Sequence, residues 1–171
     1  MPTQVAVSPT IDRLWTRLMA VRRVVLDVSG AGTGDRRNAG TEGQSDAVAM
    51  GRAEGTVEWV NGRPDEITWR EHGRWTDGPL TGTRFSSAYA WRRRVDGGVS
   101  ISHTRFGVDR PVALVDLVET EPGSWRSAQP HRCAEDRYSA ELAVEDRIVM
   151  VTWTVTGPTT DYVLSARYSP D

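Results

Sequence analysis

The sequence of 171 residues predicts an all-β protein, a closed up-and-down barrel of about eight to ten antiparallel strands with one N-terminal helix. Two observations support this class of fold. From about residue 47 onwards, short runs that alternate polar and apolar residues are separated by turn signals, a pattern typical of an antiparallel meander. Before these runs lies one segment whose apolar residues recur at helical spacing.

The helix is predicted to begin at Pro9, because Ser8 is a capping residue and proline suits the first helical turn. Its apolar stripe contains Ile11, Leu14, Trp15, Leu18 and Met19. We expect the helix to lie across one end of the barrel. Residues 1–8 are expected to form a flexible N-terminus, and residues 9–169 a single domain.

A first strand is predicted in VVLDVS, and a polar, glycine-rich loop follows it at residues 30–46. The stretch from Gly30 to Gly34 has glycines spaced as in a dinucleotide-binding turn. That motif requires a helix directly after it, whose N-terminus holds the pyrophosphate. Residues 35–46 contain almost nothing apolar and cannot pack as such a helix. We expect a disordered loop or a lid over a mouth of the barrel.

Turn signals divide the rest of the chain into strands. They are Asn61-Gly62, Asp77-Gly78-Pro79, Asp96-Gly97-Gly98, Asp109-Arg110-Pro111 and Gly157-Pro158. Counting the runs between these signals gives about nine strands. No internal repeat is evident.

Side chains on a strand alternate between two faces, so the sequence also predicts which residues point inward. In EITWREHGRW, Glu71 shares its face with Trp69. In TRFSSAYAWRRR, Tyr89 shares its face with Trp91. In VSISHTRF, the aliphatic face that begins with Val99 continues into His103 and Arg105. Successive strands of a meander are usually neighbours, so these polar groups are expected to converge.

Four inward polar groups indicate a polar pocket, because burying an unpaired charge is costly and a simple core would be apolar. Two interpretations stay open. In the first, Glu71 or His103 performs acid–base chemistry, and Arg105 holds a carboxylate or an enolate-like oxygen. In the second, Glu71 and Arg105 form a structural ion pair that closes one end of the barrel, with His103 near the rim.

Composition excludes several classes of function. A formal net charge of −2 gives no electrostatic footprint for nucleic acid or an anionic membrane. All 21 basic residues are arginine, which excludes Schiff-base chemistry on lysine and a lysine phosphate loop. A single cysteine, no visible signal peptide and no membrane-length apolar run lead us to expect a soluble, cytoplasmic protein.

The segment from His131 to Cys133 admits three interpretations. As a zinc site it is weak, because no further ligand pair with metal-binding spacing is present. As a nucleophile, Cys133 would need a nearby base and an electropositive, partly open setting. A small buried hydrophobic group is the interpretation we favour for the cysteine. His131 is kept among the candidate catalytic residues.

The last third of the chain resembles a known family. His131-x-Cys133-x-x-Asp136-x-Tyr138 is followed by Trp153-x-Val155-x-Gly157-Pro158, by Asp161-Tyr162 and by Arg167-Tyr168. This series resembles a family of bacterial lipocalin-like domains of unknown function. The similarity extends over roughly residues 13 to 169, and Thr159-Thr160 departs from it, where a basic residue commonly precedes the Asp-Tyr pair. The resemblance implies a small antiparallel barrel with an internal cavity and supplies no reaction.

The sequence therefore predicts a cavity for a partly apolar small molecule that carries a carbonyl or carboxylate group. Its expected aromatic lining is Trp69, Trp91, Tyr138, Trp153 and Tyr162. Its expected catalytic groups are Glu71, His103, Arg105, Tyr89 and His131. We favour a cofactor-independent cyclase, isomerase or dehydratase of specialised metabolism, without a metal. A non-catalytic carrier is the alternative, an interaction module without a cavity is less favoured, and monomer and homodimer both stay open.

Overall fold

The computed structural model describes residues 9–30, 48–158 and 160–171. Helix α1 spans Pro9–Ala20. Eleven strands follow in the described residues: β1 Arg23–Gly30, β2 Val48–Arg63, β3 Glu66–Trp75, β4 Arg84–Arg93, β5 Val99–His103, β6 Val112–Glu121, β7 Ser124–Ser127, β8 His131–Cys133, β9 Asp136–Glu145, β10 Ile148–Thr156 and β11 Asp161–Ser169. The predicted flexible N-terminus, and the predicted loop after Gly30, lie outside the described residues.

The strands form a closed antiparallel barrel, as the sequence predicts. In sheet order the strands are β10, β11, β1, β2, β3, β4, β5, β6, β7 and β9, and β9 pairs again with β10 to complete a ring of ten. Short strands β7 and β8 share one edge of β9, where β7 pairs with Glu141–Ala143 and β8 with Asp136–Tyr138. The chain between them contains Pro130, which cannot donate a ladder hydrogen bond.

Helix α1 closes one end of this barrel. Ile11, Leu14, Trp15 and Leu18 are each at most 2% exposed, whereas Met19, which we expected in the same stripe, is 49% exposed. Arg93, the last residue of β4, places its guanidinium 4.8 Å from the Trp15 ring and pairs with Asp12. We call this the closed end. The opposite end, where β4 begins and β5 finishes, is the open end.

Most of the turn signals mark real reversals of the chain. Turns follow β3 at Asp77-Gly78, β4 at Asp96-Gly97 and β10 at Gly157-Pro158. The prediction is wrong at Asn61-Gly62, which lies inside β2. A bulge between Trp59 and Asn61 lets β2 continue through this pair, because a bulge adds a residue to one strand without ending the ladder. The reversal comes at Pro64-Asp65 instead.

The closed half of the barrel is filled by large aromatic side chains. Trp69 and Trp91 are at most 1% exposed, and their ring centroids are 5.2 Å apart. Tyr168 packs against both, at 5.2 Å and 6.2 Å. This cluster and the apolar face of α1 form a packed core in the closed half.

Candidate functional site

A cavity of about 390 Å³ lies in the open half of the barrel. On β4 its lining stops at Tyr89, and the next inward residue, Trp91, belongs to the packed core. On β5 it is reached by the last residue, His103, and on β6 by the first, Val112. The lining residues are Ser86, Ser87, Ala88, Tyr89, His103, Arg105, Val112, Leu114, His131, Cys133, Tyr138, Trp153, Val155, Tyr162 and Leu164.

The walls of the cavity are aromatic and carry hydroxyl groups. Tyr138 on β9 and Tyr162 on β11 are both register partners of Val155 on β10, so the two tyrosines line one level of the wall. Trp153, two residues before Val155, continues the same inward face. The chain has four tyrosines, and three of them line this cavity. Tyrosine offers a flat apolar surface together with a hydrogen-bonding group.

The inner part of the cavity is formed on β4 by Ser87 and Tyr89. The hydroxyl of Ser87 forms a side-chain hydrogen bond with that of Tyr89. Burial raises the pKa of Tyr89 far above its ordinary value, and the neighbouring Glu71 and Tyr162 raise it further, while the bond to Ser87 opposes the shift. Tyr89 is therefore a neutral hydroxyl group at any physiological pH.

Three basic side chains line the cavity: His103, Arg105 and His131. His103 is half-buried, and burial, Arg105 and His131 all lower its pKa, in that order of importance. Its Nδ1 atom is buried and has no hydrogen-bond partner among the described residues. His131 lies on β8, with its ring centroid 6.5 Å from that of Tyr138. Of the three, Arg105 supplies a positive charge at the rim, whereas the lowered pKa keeps His103 neutral near pH 7.

Arg105 is placed differently from either expectation. Strand β5 ends at His103, so the alternation that predicted an inward Arg105 does not extend to it. The side chain is exposed at the rim, where its guanidinium lies 4.6 Å from the Phe106 ring centroid. It lines the cavity but forms no ion pair with the buried Glu71, so the structural-plug interpretation is wrong.

Glu71 is inside the barrel, as predicted, but outside the cavity lining. Its side chain is 1% exposed, and its Oε1 accepts a hydrogen bond of 3.2 Å from Trp69 Nε1. Burial raises the pKa of Glu71 to about 7, while hydrogen bonds from Tyr168 and Trp69 lower it. Glu71 is therefore not among the residues that line the cavity, because its carboxyl is enclosed by aromatic groups.

Trp69 and Trp91 also differ from the expected lining. Both belong to the packed core of the closed half and do not reach the cavity. Their alternation was predicted correctly, but depth along the strand separates them from Tyr89, which shares their face. Cys133 is corrected as well. It is exposed rather than buried, because β8 is a three-residue strand at the open rim.

The lining also contains residues that sequence reasoning did not select. Ser87 and Leu164 line the cavity and stand two positions from Tyr89 and Tyr162, so the same alternation could have identified them. Val112 and Leu114 enter from the start of β6, a stretch of sequence without a polar signal. Within the described ranges, no group of three or more histidine, cysteine, aspartate or glutamate side chains could hold a metal ion.

These observations define the class of protein: an antiparallel ten-stranded barrel, closed at one end by a helix and open at the other into an aromatic cavity. Residues 28–170 match the model of a protein family described as a family of unknown function (DUF6314), and the chain belongs to that family. No curated protein matches the sequence. The described residues contain no helix with the length and apolar character of a membrane span.

Proposed function

We propose that the barrel binds a partly apolar small organic molecule that carries one anionic group. One observation carries this proposal: an aromatic cavity of about 390 Å³ has His103, Arg105 and His131 in its lining, with Arg105 exposed at the rim. A volume of this size lies within the range typical of ligand sites. Together with the closed ring of strands, such an interior supports a lipocalin-like protein.

The walls and the mouth would contribute differently to binding. Trp153, Tyr138 and Tyr162 present ring surfaces that would cover an apolar or aromatic body. The Arg105 guanidinium lies at the rim, 4.6 Å from the Phe106 ring centroid, and a guanidinium binds a carboxylate through two parallel hydrogen bonds. The ligand would therefore enter with its apolar part first and keep its charge near Arg105.

A cofactor-independent enzyme, such as an isomerase, cyclase or dehydratase, is the second candidate function. His103 favours it, because the lowered pKa keeps the imidazole neutral near pH 7 and its Nδ1 is unpartnered among the described residues. Tyr89 is the direct cross-strand partner of His103. A neutral imidazole beside a neutral phenol can act as general base and general acid towards a carbonyl compound.

Binding can be tested with the fluorescent probe 8-anilinonaphthalene-1-sulfonate, an aromatic molecule with one anionic group. We expect saturable binding of one molecule per chain. Arg105→Ala should weaken it by roughly fivefold, because a partly exposed charge-assisted hydrogen bond is lost. Arg110→Ala, in the same loop but outside the lining, is the matched control and should leave the affinity unchanged. Equal affinities of all three proteins would contradict the proposed site.

The carrier and the enzyme can be separated once a natural ligand is known. Native mass spectrometry of the freshly purified protein would identify a co-purified molecule, which is then added in excess and followed by NMR. A carrier leaves its spectrum unchanged. An enzyme converts it, and His103→Gln should then reduce turnover by roughly a hundredfold or more, the usual contribution of a general base, while binding is retained.

A further inference from the structure

We propose that the cavity selects the inner end of its ligand, admitting a neutral oxygen acceptor such as a ketone or ether against the hydroxyls of Ser87 and Tyr89. This inference rests on the proposed binding function. It adds the orientation of the ligand, the chemistry of its inner end and the residues that select it.

On β4, Tyr89 stands at the inner limit of the cavity, and Ser87 lies one inward position nearer the open end. Ser87 and Tyr89 are two residues apart on β4 and therefore share the inward face. Beyond Tyr89 the same face continues into Trp91, which is packed in the core. When Ser87 donates its proton to the Tyr89 oxygen, the phenolic proton of Tyr89 is left for a ligand. The inner end thus offers a donor to an acceptor.

Glu71 determines that this acceptor should be neutral. Glu71 lies on β3 as the register partner of Ser87. Its negative charge raises the pKa of Tyr89. A second anion placed against Tyr89 would be repelled by the Glu71 carboxylate in a poorly solvated interior. It would also lack a cation there, since the lowered pKa of the adjacent His103 keeps its ring neutral and Arg105 lies at the exposed rim.

The two ends of the cavity therefore differ in the ligand group that each suits. At the rim, the guanidinium of Arg105 favours an anion. The inner end has neutral hydroxyls beside a carboxyl group, which favour an uncharged acceptor. Between them lie the rings of Trp153, Tyr138 and Tyr162. The ligand class that fits is an apolar or aromatic acid with a ketone or ether oxygen at the end remote from its carboxylate.

Three acids that differ only at the remote end test this inference: decanoate, 9-oxodecanoate and decanedioate. By calorimetry at pH 7.5 we expect the wild-type protein to bind the oxo acid about tenfold more tightly than decanoate, as one buried hydrogen bond allows. Decanedioate should bind more weakly than either, because its second carboxylate meets Glu71. In Tyr89→Phe the preference for the oxo acid should disappear, while the affinity for decanoate is retained.

Tyr168→Phe is the matched control, since it removes a hydroxyl that is buried outside the cavity and should keep the preference. Wild-type protein that binds decanoate as tightly as the oxo acid, or a Tyr89→Phe variant that keeps the preference, overturns the inference and leaves the proposed function standing. Failure of all three acids to bind while the naphthalene sulfonate binds also overturns it. Failure of every probe overturns the proposed function itself.

Discussion

The closed and open halves of the barrel use the same aromatic residue types for different purposes. In the closed half, Trp69, Trp91 and Tyr168 pack ring against ring beneath α1. In the open half, Tyr89 and Trp153 face a cavity of about 390 Å³. Both sets point inward on alternating strand positions. An inward position is therefore not by itself a core position or a site position.

The helix and the aromatic cluster determine which of the two roles an inward residue has. Ile11, Leu14, Trp15 and Leu18 bury their side chains at the closed end, so the inward residues near them are in close contact. No described helix covers the other end, and inward side chains there keep free surface. We therefore expect a substitution in the closed half to reduce stability more than binding. The equivalent substitution in the open half should reduce binding more than stability.

The largest expected effect is on the stability of the closed half. Trp91→Ala should lower the free energy of unfolding by about 3–5 kcal/mol, the usual loss for a large aromatic residue removed from a packed core. Trp153→Ala removes the same side chain from the cavity wall, where one face has fewer contacts to lose, and should lower it by roughly half as much. Chemical denaturation of both variants measures the two losses.

Probe binding should show the opposite order. Trp153→Ala is expected to abolish naphthalene sulfonate binding at concentrations that saturate the wild-type protein, whereas folded Trp91→Ala should retain it. Equal stability losses in the two variants would contradict a division of the interior into core and cavity.

The sequence predicted the architecture well because both of its signals are local. Alternation assigned Trp69, Glu71, Tyr89 and Trp91 to the interior, and the helical stripe identified α1. Neither signal indicates how far along the barrel axis an inward residue lies. Depth depends on where α1 and Tyr168 fill the interior, which is a tertiary property, so Trp69 and Trp91 could not be distinguished from Tyr89.

Other expectations failed at strand ends. The alternating pattern continues through Arg105, but β5 stops at His103 and the residues beyond it follow no strand period. Cys133 was assigned to the interior because free cysteines are usually buried. It is exposed because β8 pairs only with the first residues of β9, at the rim. Alternation depends on continuous strand pairing. It therefore no longer predicts where a side chain points once a strand ends or reaches the rim.

The second expected effect concerns Glu71, which lies where the two halves meet. Its pKa is about 7 in the folded protein against an ordinary value of 4.5, so the folded state binds more protons than the unfolded state between these pH values. Folding stability is therefore lost as pH rises from about 4.5 to 7. Glu71→Gln removes this loss and should be more stable than the wild type by up to about 3 kcal/mol at pH 8.

The difference in unfolding free energy between the wild type and Glu71→Gln should become smaller as pH falls. Near pH 4, below the ordinary pKa of 4.5, the carboxyl is largely protonated in both the folded and the unfolded wild type, and thermal or urea unfolding of the two should nearly coincide. Exposed carboxylates titrate alike in both proteins and do not affect the difference. A Glu71→Gln variant that is less stable than the wild type at pH 8 would show that the carboxylate is needed for the fold, contrary to its burial among aromatic groups.

The smallest expected effect on stability comes from the open rim. Cys133→Ser should change the free energy of unfolding by less than about 0.5 kcal/mol, because the side chain is exposed and far from the packed core.

The native thiol should also react with a maleimide without prior unfolding. Since Cys133 lines the cavity beside His131, attachment of a bulky maleimide should block the naphthalene sulfonate probe, whereas a methylthio group of a few atoms should leave most binding intact. Labelled protein that binds the probe as well as unlabelled protein would remove Cys133 from the entrance, and a thiol that reacts only after denaturation would return it to the core.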